Sequence, residues 1–358
     1  MKINKLLSAL FIFSVLLFNS CSNDDDGSDN LPKGAYENGI LISGEGSGAG
    51  TGSVSFVSED LSFSENLIFK KNNNDLELGT FLQSIAFNDS KAFIVVDNTN
   101  TITVVDRYTF EYEGEISEGL SGPRFMTIVG NKGYVTNWGS TSDDTDDFVA
   151  VVDLSTYAVE GTISVGNGPE RIIAKDGKLF VSHKGAYTTN NIVSVIDIAT
   201  ENLQEITVKD NPDELEFNSA GNLVVLSEGR TIYDADWNVI GNTEGSISTI
   251  NTSSLEVDSE IVFAEGEHPS LMVVNNGDIY YASNGKVYTI DENAGSLSTT
   301  SIVESQGYLY GLEVENDNIY LLDANFSDLS ELHVYDLGTQ AKIETVSVAL
   351  GASKIYFN

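Results

Sequence analysis

Residues 168–197 read GPERIIAKDGKLFVSHKGAYTTNNIVSVID. The stretch carries no apolar spacing of three and four, so it is not an amphipathic helix. It opens on a turn, Gly168-Pro169, and continues into a short apolar strand, Ile172–Ala174. A second turn, Lys175-Asp176-Gly177, leads to a second strand, Leu179–Ser182. A polar loop follows, then a third strand over Val193–Ile198 and a fourth over Glu205–Val208. Short β-rich runs punctuated by Gly, Asn and Asp are the mark of antiparallel strands. We label these strands A to D.

The unit repeats. Its closing phrase, Val195-Ile196-Asp197, returns as Thr103-Val104-Val105-Asp106, Ala150-Val151-Val152-Asp153, Ser248-Thr249-Ile250-Asn251, Thr289-Ile290-Asp291 and Val334-Tyr335-Asp336. The intervals are 47, 44, 54, 40 and 45 residues, and Val54–Ser58 is a degenerate first copy, which makes seven. Gly122-Pro123, Asn211-Pro212 and His268-Pro269 repeat the opening turn. Four strands at a period of about 40–50 residues define the blade of a β-propeller. The expected fold is therefore all-β: a seven-bladed propeller over residues 39–358, with four antiparallel strands per blade. The first copy lacks a strand A, and Gly351–Asn358 begins a blade that never continues. The C-terminal strand should complete blade 1 and close the ring, which removes exposed sheet edges. An open sandwich or a pair of β domains is the alternative, and it leaves that orphan strand without a partner.

The start of the chain reads as an address. Lys2 and Lys5 precede an apolar run of 13 residues, Leu6–Phe18, and the only Cys of the chain, Cys21, follows. The run is short for a bilayer span and suits a signal-peptide core. Leu17-Phe18-Asn19-Ser20-Cys21 resembles a bacterial lipobox, which implies removal of residues 1–20 and acylation of Cys21. Phe18 departs from the small aliphatic residue usual there. An ordinary signal peptide beside a coincidental Cys is the alternative. Residues 21–38, opening Ser22-Asn23-Asp24-Asp25-Asp26-Gly27, form an acidic tether.

Charge narrows the function. The chain has 18 basic and 54 acidic residues, for a net charge of −36. Nucleic acids bind through clustered Lys and Arg, so they are not an expected partner. One Cys and three His leave little for thiolate or imidazole metal sites, and no metal or cofactor is expected. His-Glu-x-x-His, Gly-x-Ser-x-Gly and phosphate-loop motifs are absent from the sequence, which favours a binding protein over an enzyme. A carboxylate pair such as Glu170 with Glu214 stays open as a catalytic alternative. The run Asp143, Asp144, Asp146, Asp147 lacks the order of an EF-hand loop and reads as a solvated loop rather than a Ca²⁺ site.

In a propeller the D–A turns and the B–C loops emerge on one face, around the mouth of the channel. The D–A turns contribute Gln83, Arg124, Phe125, Glu170, Arg171, Asp213, Glu214, His268, Ser270, Tyr308 and Tyr310. The ends of strand B contribute Glu45, Asp97-Asn98, Asn137-Trp138, His183-Lys184, Ser227-Glu228, Ser283-Asn284 and Asp323–Asn325, with the register uncertain by one residue. Long B–C inserts in blades 3, 4, 5 and 7 add Tyr187, Arg230, Trp237 and Phe326, and hold both Trp residues of the chain. Loops of this length are usually functional or disordered. The candidate ligand residues are thus Arg124, Trp138, Arg171, His183, Tyr187, Arg230, Trp237, His268, Tyr308, Tyr310 and Phe326. Aromatics with a few Arg suit a large planar or macrocyclic ligand with carboxylate or amide arms.

The pattern Gly-Pro-x-x-Ile … Leu-Phe-Val-Ser … Val-Ser-Val-Ile-Asp in residues 168–197 resembles the YncE-type, surface-layer-like seven-bladed propellers. With the lipobox and tether, the chain looks most like the propeller lipoproteins associated with TonB-dependent outer-membrane receptors. That resemblance implies a protein held on the outer membrane by lipid alone, exposed at the cell surface and monomeric by itself. It implies capture of a small molecule (cobalamin, a siderophore or haem) for the receptor. It carries over no individual contact residue. A protein- or glycan-interaction module and, less favoured, a lactonase-like enzyme are the other readings.

Overall fold

The computed structural model describes residues 33–358 apart from Ala49. Cys21, the signal segment and most of the tether lie outside the described residues. Among the described residues no helix is long and apolar enough to cross a membrane.

The fold is a ring of seven four-stranded antiparallel sheets. Blade 4 is typical. Strand A spans Pro169–Lys175, B Lys178–His183, C Ile192–Asp197 and D Leu203–Thr207, paired in that order. Strands B are buried on both faces, with the pattern of Lys178–His183 showing five buried residues after an edge lysine, because a neighbouring blade covers each side. Strands D, such as Tyr112–Ile116, lie largely in solvent at the rim.

The repeated Asp has a structural cause. Its side chain folds strand C back into strand D. Asp106 Oδ1 accepts from the amides of Tyr108 and Thr109 at 2.9 and 2.8 Å. Asp153 and Asp197 do the same for Ser155 and Thr156 and for Ala199 and Thr200, and Asn251 for Ser253 and Ser254. Four residues after the Asp or Asn, the backbone is left-handed at Phe110, Tyr157, Glu201, Leu255 and Gln340. The phrase that revealed the repeat is therefore a turn built on a side-chain acceptor.

Closure is by the last strand, Ala352–Phe357, which pairs with Gly39–Gly44 as strand A of blade 1. The Asn358 side chain donates to the Tyr36 carbonyl at 2.6 Å and to that of Arg107 at 3.3 Å, so the chain end also grips blade 2. Seven apolar clusters fill the seven gaps between adjacent blades. The gap sealed by the closing strand holds Ile42, Val57, Leu322, Leu332, Val348 and Ile355 and is packed like the rest.

Two features depart from the repeat. A short helix, Ile68–Asn72, links blades 1 and 2. The long insert of blade 5 is not a loop: Thr231–Tyr233 and Val239–Asn242 pair as a separate hairpin.

Candidate functional site

Strand A enters its sheet through a register shift in blades 2 to 7. The shifts fall at Leu82/Ser84, Pro123/Met126, Pro169/Ile172, Pro212/Leu215, Pro269/Leu271 and Leu309/Gly311. Bulges re-aim side chains out of the pleat. Here they deliver Gln83, Arg124, Phe125, Glu170, Arg171, Asp213, Glu214, Ser270 and Tyr310 to a cavity of about 750 Å³ at the mouth of the ring. Every blade contributes to it. Trp138, Lys184, Glu228 and Asn284 come from the ends of strands B, and Glu45 and Lys354 from blade 1.

The walls are charge-paired. Arg124 forms a two-bond fork with Glu170 at 3.0 and 2.9 Å and donates to Asp97 at 3.0 Å. The Trp138 ring lies against its guanidinium at 3.8 Å. Arg171 bonds Asp213 at 3.1 Å and contacts Glu214, with Phe125 on its face at 4.7 Å. Lys184 bridges Asp213 and Glu228 at 2.8 and 2.9 Å. Tyr310 donates its hydroxyl to Glu45 at 3.0 Å and stacks on Tyr308. Each Arg thus stands between carboxylates, and Glu170 and Glu214 are not a free catalytic pair.

Burial and these partners set the protonation pattern. Burial works against the charges of Arg124, Arg171 and Lys184, but their carboxylates outweigh it and all three are held cationic. Asp213 touches both Lys184 and Arg171, which overcome its burial and hold it ionised. Glu214 bonds Arg171 and also feels Lys354, but burial outweighs both cations and pushes it up to about 8, toward its neutral form. Burial likewise raises Glu313 to about 8 and Glu216, which accepts from the Val274 amide, to about 7.

Of the sequence candidates, Arg124, Trp138, Arg171, His268, Tyr308 and Tyr310 line this cavity. The other five do not. His183 is fully buried in blade 4. Its Nδ1 donates to the Asn167 carbonyl at 3.2 Å and its Nε2 accepts from Ser194 at 2.8 Å. A carbonyl only accepts, which fixes the tautomer. Burial drops its pKa to about 4. Tyr187 packs edge-on against Trp138 at 5.7 Å and borders a side cleft with Ser140–Asp144. Phe326 packs on Tyr308 and Tyr310 and faces a neighbouring cleft beside Asp323. Arg230 pairs with Asp210 at 2.9 Å at the base of the hairpin. Trp237 sits at its tip, 82% exposed, because the insert folds on itself instead of over the cavity. His268 lines the cavity with both nitrogens engaged, Nδ1 by the Glu228 carbonyl at 2.9 Å and Nε2 near Asn242 and Thr231.

One charged cavity residue escaped the sequence reading. Lys354 comes from the closing strand, and Gly351-Ala352-Ser353-Lys354 aligns with Gly168-Pro169-Glu170-Arg171. That alignment would have placed it. The acidic run in blade 3 forms no metal-holding group among the described residues. Its Asp147 is buried and accepts from the Gly168 amide; burial raises it to about 6.

The geometry defines a class: closed seven-bladed propellers with a polar cavity at one mouth. A family model described as "Domain of unknown function (DUF5074)" matches residues 38–211, from blade 1 through blade 4. No curated protein matches the chain. Solved structures do. The hydrazine synthase of Kuenenia stuttgartiensis aligns with a TM-score of 0.60 at 19% identity, over 78% of this chain and 92% of that one. Dihydro-heme d1 dehydrogenase NirN in complex with DHE aligns with a TM-score of 0.55 at 13% identity, over 91% and 78%. The computationally designed Ika8 protein aligns at 0.57 and 13%, over 91% and 92%. At these identities the likeness is one of fold.

Proposed function

We propose that this chain captures a small molecule in the mouth cavity and hands it to an outer-membrane transporter. The observation that carries the reading is the cavity itself. Seven blades converge on about 750 Å³ of polar space with an aromatic rim of Trp138, Tyr308 and Tyr310. Because the arginines are already paired, the wall offers donors and acceptors side by side rather than a positive cradle. Such a wall suits amide- and hydroxyl-bearing ligands better than polyanions. A cobalamin-like macrocycle is the first candidate, and haem and siderophores are the others. A similar fold named as a dihydro-heme d1 dehydrogenase supports the macrocycle class. The lipobox-like Cys21 supports attachment to the outer membrane, and the resemblance to receptor-associated propeller lipoproteins supports a TonB-dependent receptor as partner.

The test is a fluorescence titration of the purified chain with cyanocobalamin, hemin and a ferric hydroxamate siderophore. One of them should quench Trp138 with micromolar or better affinity, and Trp138→Phe should abolish that change while Trp237→Phe keeps it. Failure of all three to bind, with binding of a polysaccharide instead, overturns the reading. Cys21→Ala should move the protein from the membrane to the soluble fraction, and retention on the membrane refutes the anchor.

A further inference from the structure

The cavity holds four cations, and three of them are engaged by carboxylates. The fourth, Lys354, has no hydrogen-bond or ion-pair partner among the described residues. Its Nζ lies 5.7 Å from the centre of the Tyr310 ring and 5.9 Å from that of Phe125. The Arg171 guanidinium occupies the same Phe125 ring at 4.7 Å. Arg171 uses Nε and Nη2 on Asp213 and Glu214, and Nη1 donates to no described residue. Two like charges therefore share one aromatic ring, each with donors to spare.

We infer that Lys354 and Arg171 form an oxyanion subsite within the cavity, so that the captured ligand carries one carboxylate or phosphate group. The inference rests on the cavity being a ligand site. Lys354 is half-buried in the cavity wall, where an ammonium without a partner is partly desolvated and uncompensated, and an anion close to both cations offsets that cost and their mutual repulsion. The surrounding groups leave room for one negative charge. Burial pushes Glu214 toward its neutral form, Asp213 is shared by Arg171 and Lys184, and Glu228 completes Lys184. Glu45, the other carboxylate facing Lys354, is shifted toward its neutral form by burial and accepts the Tyr310 hydroxyl. Burial and then Arg171 depress the Lys354 pKa by more than the more distant Glu214, Asp213 and Glu45 raise it, as expected of an ammonium with no carboxylate in contact. This also qualifies the ligand: an all-amide molecule leaves the subsite empty, whereas one acidic arm fills it.

The experiment is NMR of the full chain carrying lysine labelled with ¹³C at Cε, with Lys354 assigned as the signal lost in Lys354→Met. The protein is titrated with acetate and with inorganic phosphate against chloride at matched ionic strength. The Lys354 titration midpoint should rise by about one pH unit or more, the size of an opposite charge within contact range, with acetate, phosphate or both, and not with chloride. Response to acetate alone identifies a carboxylate arm, and response to phosphate alone a phosphate arm. Lys354→Arg should keep an acetate- or phosphate-dependent rise in melting temperature that Lys354→Met loses. No movement, or equal movement in chloride, overturns the subsite. A macrocycle that binds wild type and Lys354→Met equally, with both anions silent, removes the subsite and leaves the capture reading standing. An anion-responsive Lys354 in a protein that binds none of the three macrocycle or siderophore probes does the reverse.

Discussion

His183 tests the architecture most sharply, because sequence places it at the binding face and structure buries it. An unfolded chain titrates this imidazole near 6.5, and the fold holds it down to about 4. Between those values the unfolded state binds the proton and the native state does not. Stability must therefore fall as pH drops from about 6.5 towards about 4, with no His183 penalty above that window. Linkage puts the loss at about 2 kcal/mol at pH 5, rising to about 3 kcal/mol at pH 4. Asp147, Glu214, Glu216 and Glu313 work the other way, since their raised pKa values favour the native state as acid is added. A single melting curve mixes these effects, whereas a comparison with His183→Asn separates them. The amide nitrogen of Asn keeps the donation to Asn167, and the group does not titrate. The variant starts less stable at pH 7.5 because it loses the Ser194 bond and leaves a gap. On acidification to pH 5 it should lose less than the parent, by on the order of 4 °C in melting temperature. The assay is differential scanning calorimetry of both proteins in matched buffers. If the variant falls as steeply as the parent, the imidazole is not a buried neutral group. If it also loses ligand binding, His183 faces the ligand after all.

Three further outcomes follow from the same geometry. Gly168 has φ +67°, and a Cβ there meets the Ala186 nitrogen at 2.2 Å and Gly185 backbone at 2.3 Å. Gly122, at φ +58°, finds nothing nearer than 3.5 Å. Gly122→Ala should cost about 1 kcal/mol from the left-handed backbone alone, and Gly168→Ala at least about 3 kcal/mol, as measured by denaturant unfolding. Trp237→Ala should leave stability within about 0.5 kcal/mol and cavity binding unchanged, whereas Trp138→Ala strips the cover from Arg124 and should weaken binding at least about tenfold, a loss of about 1.4 kcal/mol; equal effects in a calorimetric titration contradict the site. Deleting residues 352–358 removes strand A of blade 1, and with it Ile355 and Lys354. Cooperative melting by circular dichroism should disappear, and a truncated chain that melts like the parent refutes closure by this strand.

The fold was legible because its punctuation is chemical. The Asp or Asn that ends strand C builds the C–D turn in blades 2 to 7, and a Pro after Gly, Asn or His opens strand A into its bulge in blades 3 to 6, so most blades carry two short marks. The bulge residues were legible for the same reason. The ends of strand B were less so, and the cause is the two-residue alternation of a strand. Asn137 and His183 face Pro123 and Pro169 across the A–B ladder. Asn137 accepts from the Ser121 amide at 2.9 Å, and His183 donates to the Asn167 carbonyl at 3.2 Å. Both therefore latch the D–A connection that precedes their own blade. The next residue along, Trp138 or Lys184, turns into the cavity. A reading uncertain by one position could not separate latch from lining. Trp237 misled for another reason: loop length and aromatic content look the same for an insert over a cavity and for a hairpin pointing away. Asp234 decides it, accepting from the amides of Asp236 and Asn238 at 2.9 Å to turn the hairpin at the Trp.

Stability explains the charge network poorly. Buried ion pairs are often no better than apolar packing of the same volume, since desolvation cancels much of the attraction. The seven apolar clusters already hold the blades together. Yet a chain with only 18 basic residues in all places four of them, Arg124, Arg171, Lys184 and Lys354, around one cavity. Arg171 and Lys184 are fixed by carboxylates of the next blade, Asp213 holding both, and Arg124 is fixed from both sides by Asp97 and Glu170. Such pairing costs stability relative to an apolar plug but sets donor directions in advance, which lowers the ordering cost of binding. The network is therefore better understood as preorganisation for the proposed ligand than as a support for the ring, and the unpaired Lys354 is where we infer that the ligand supplies the missing charge.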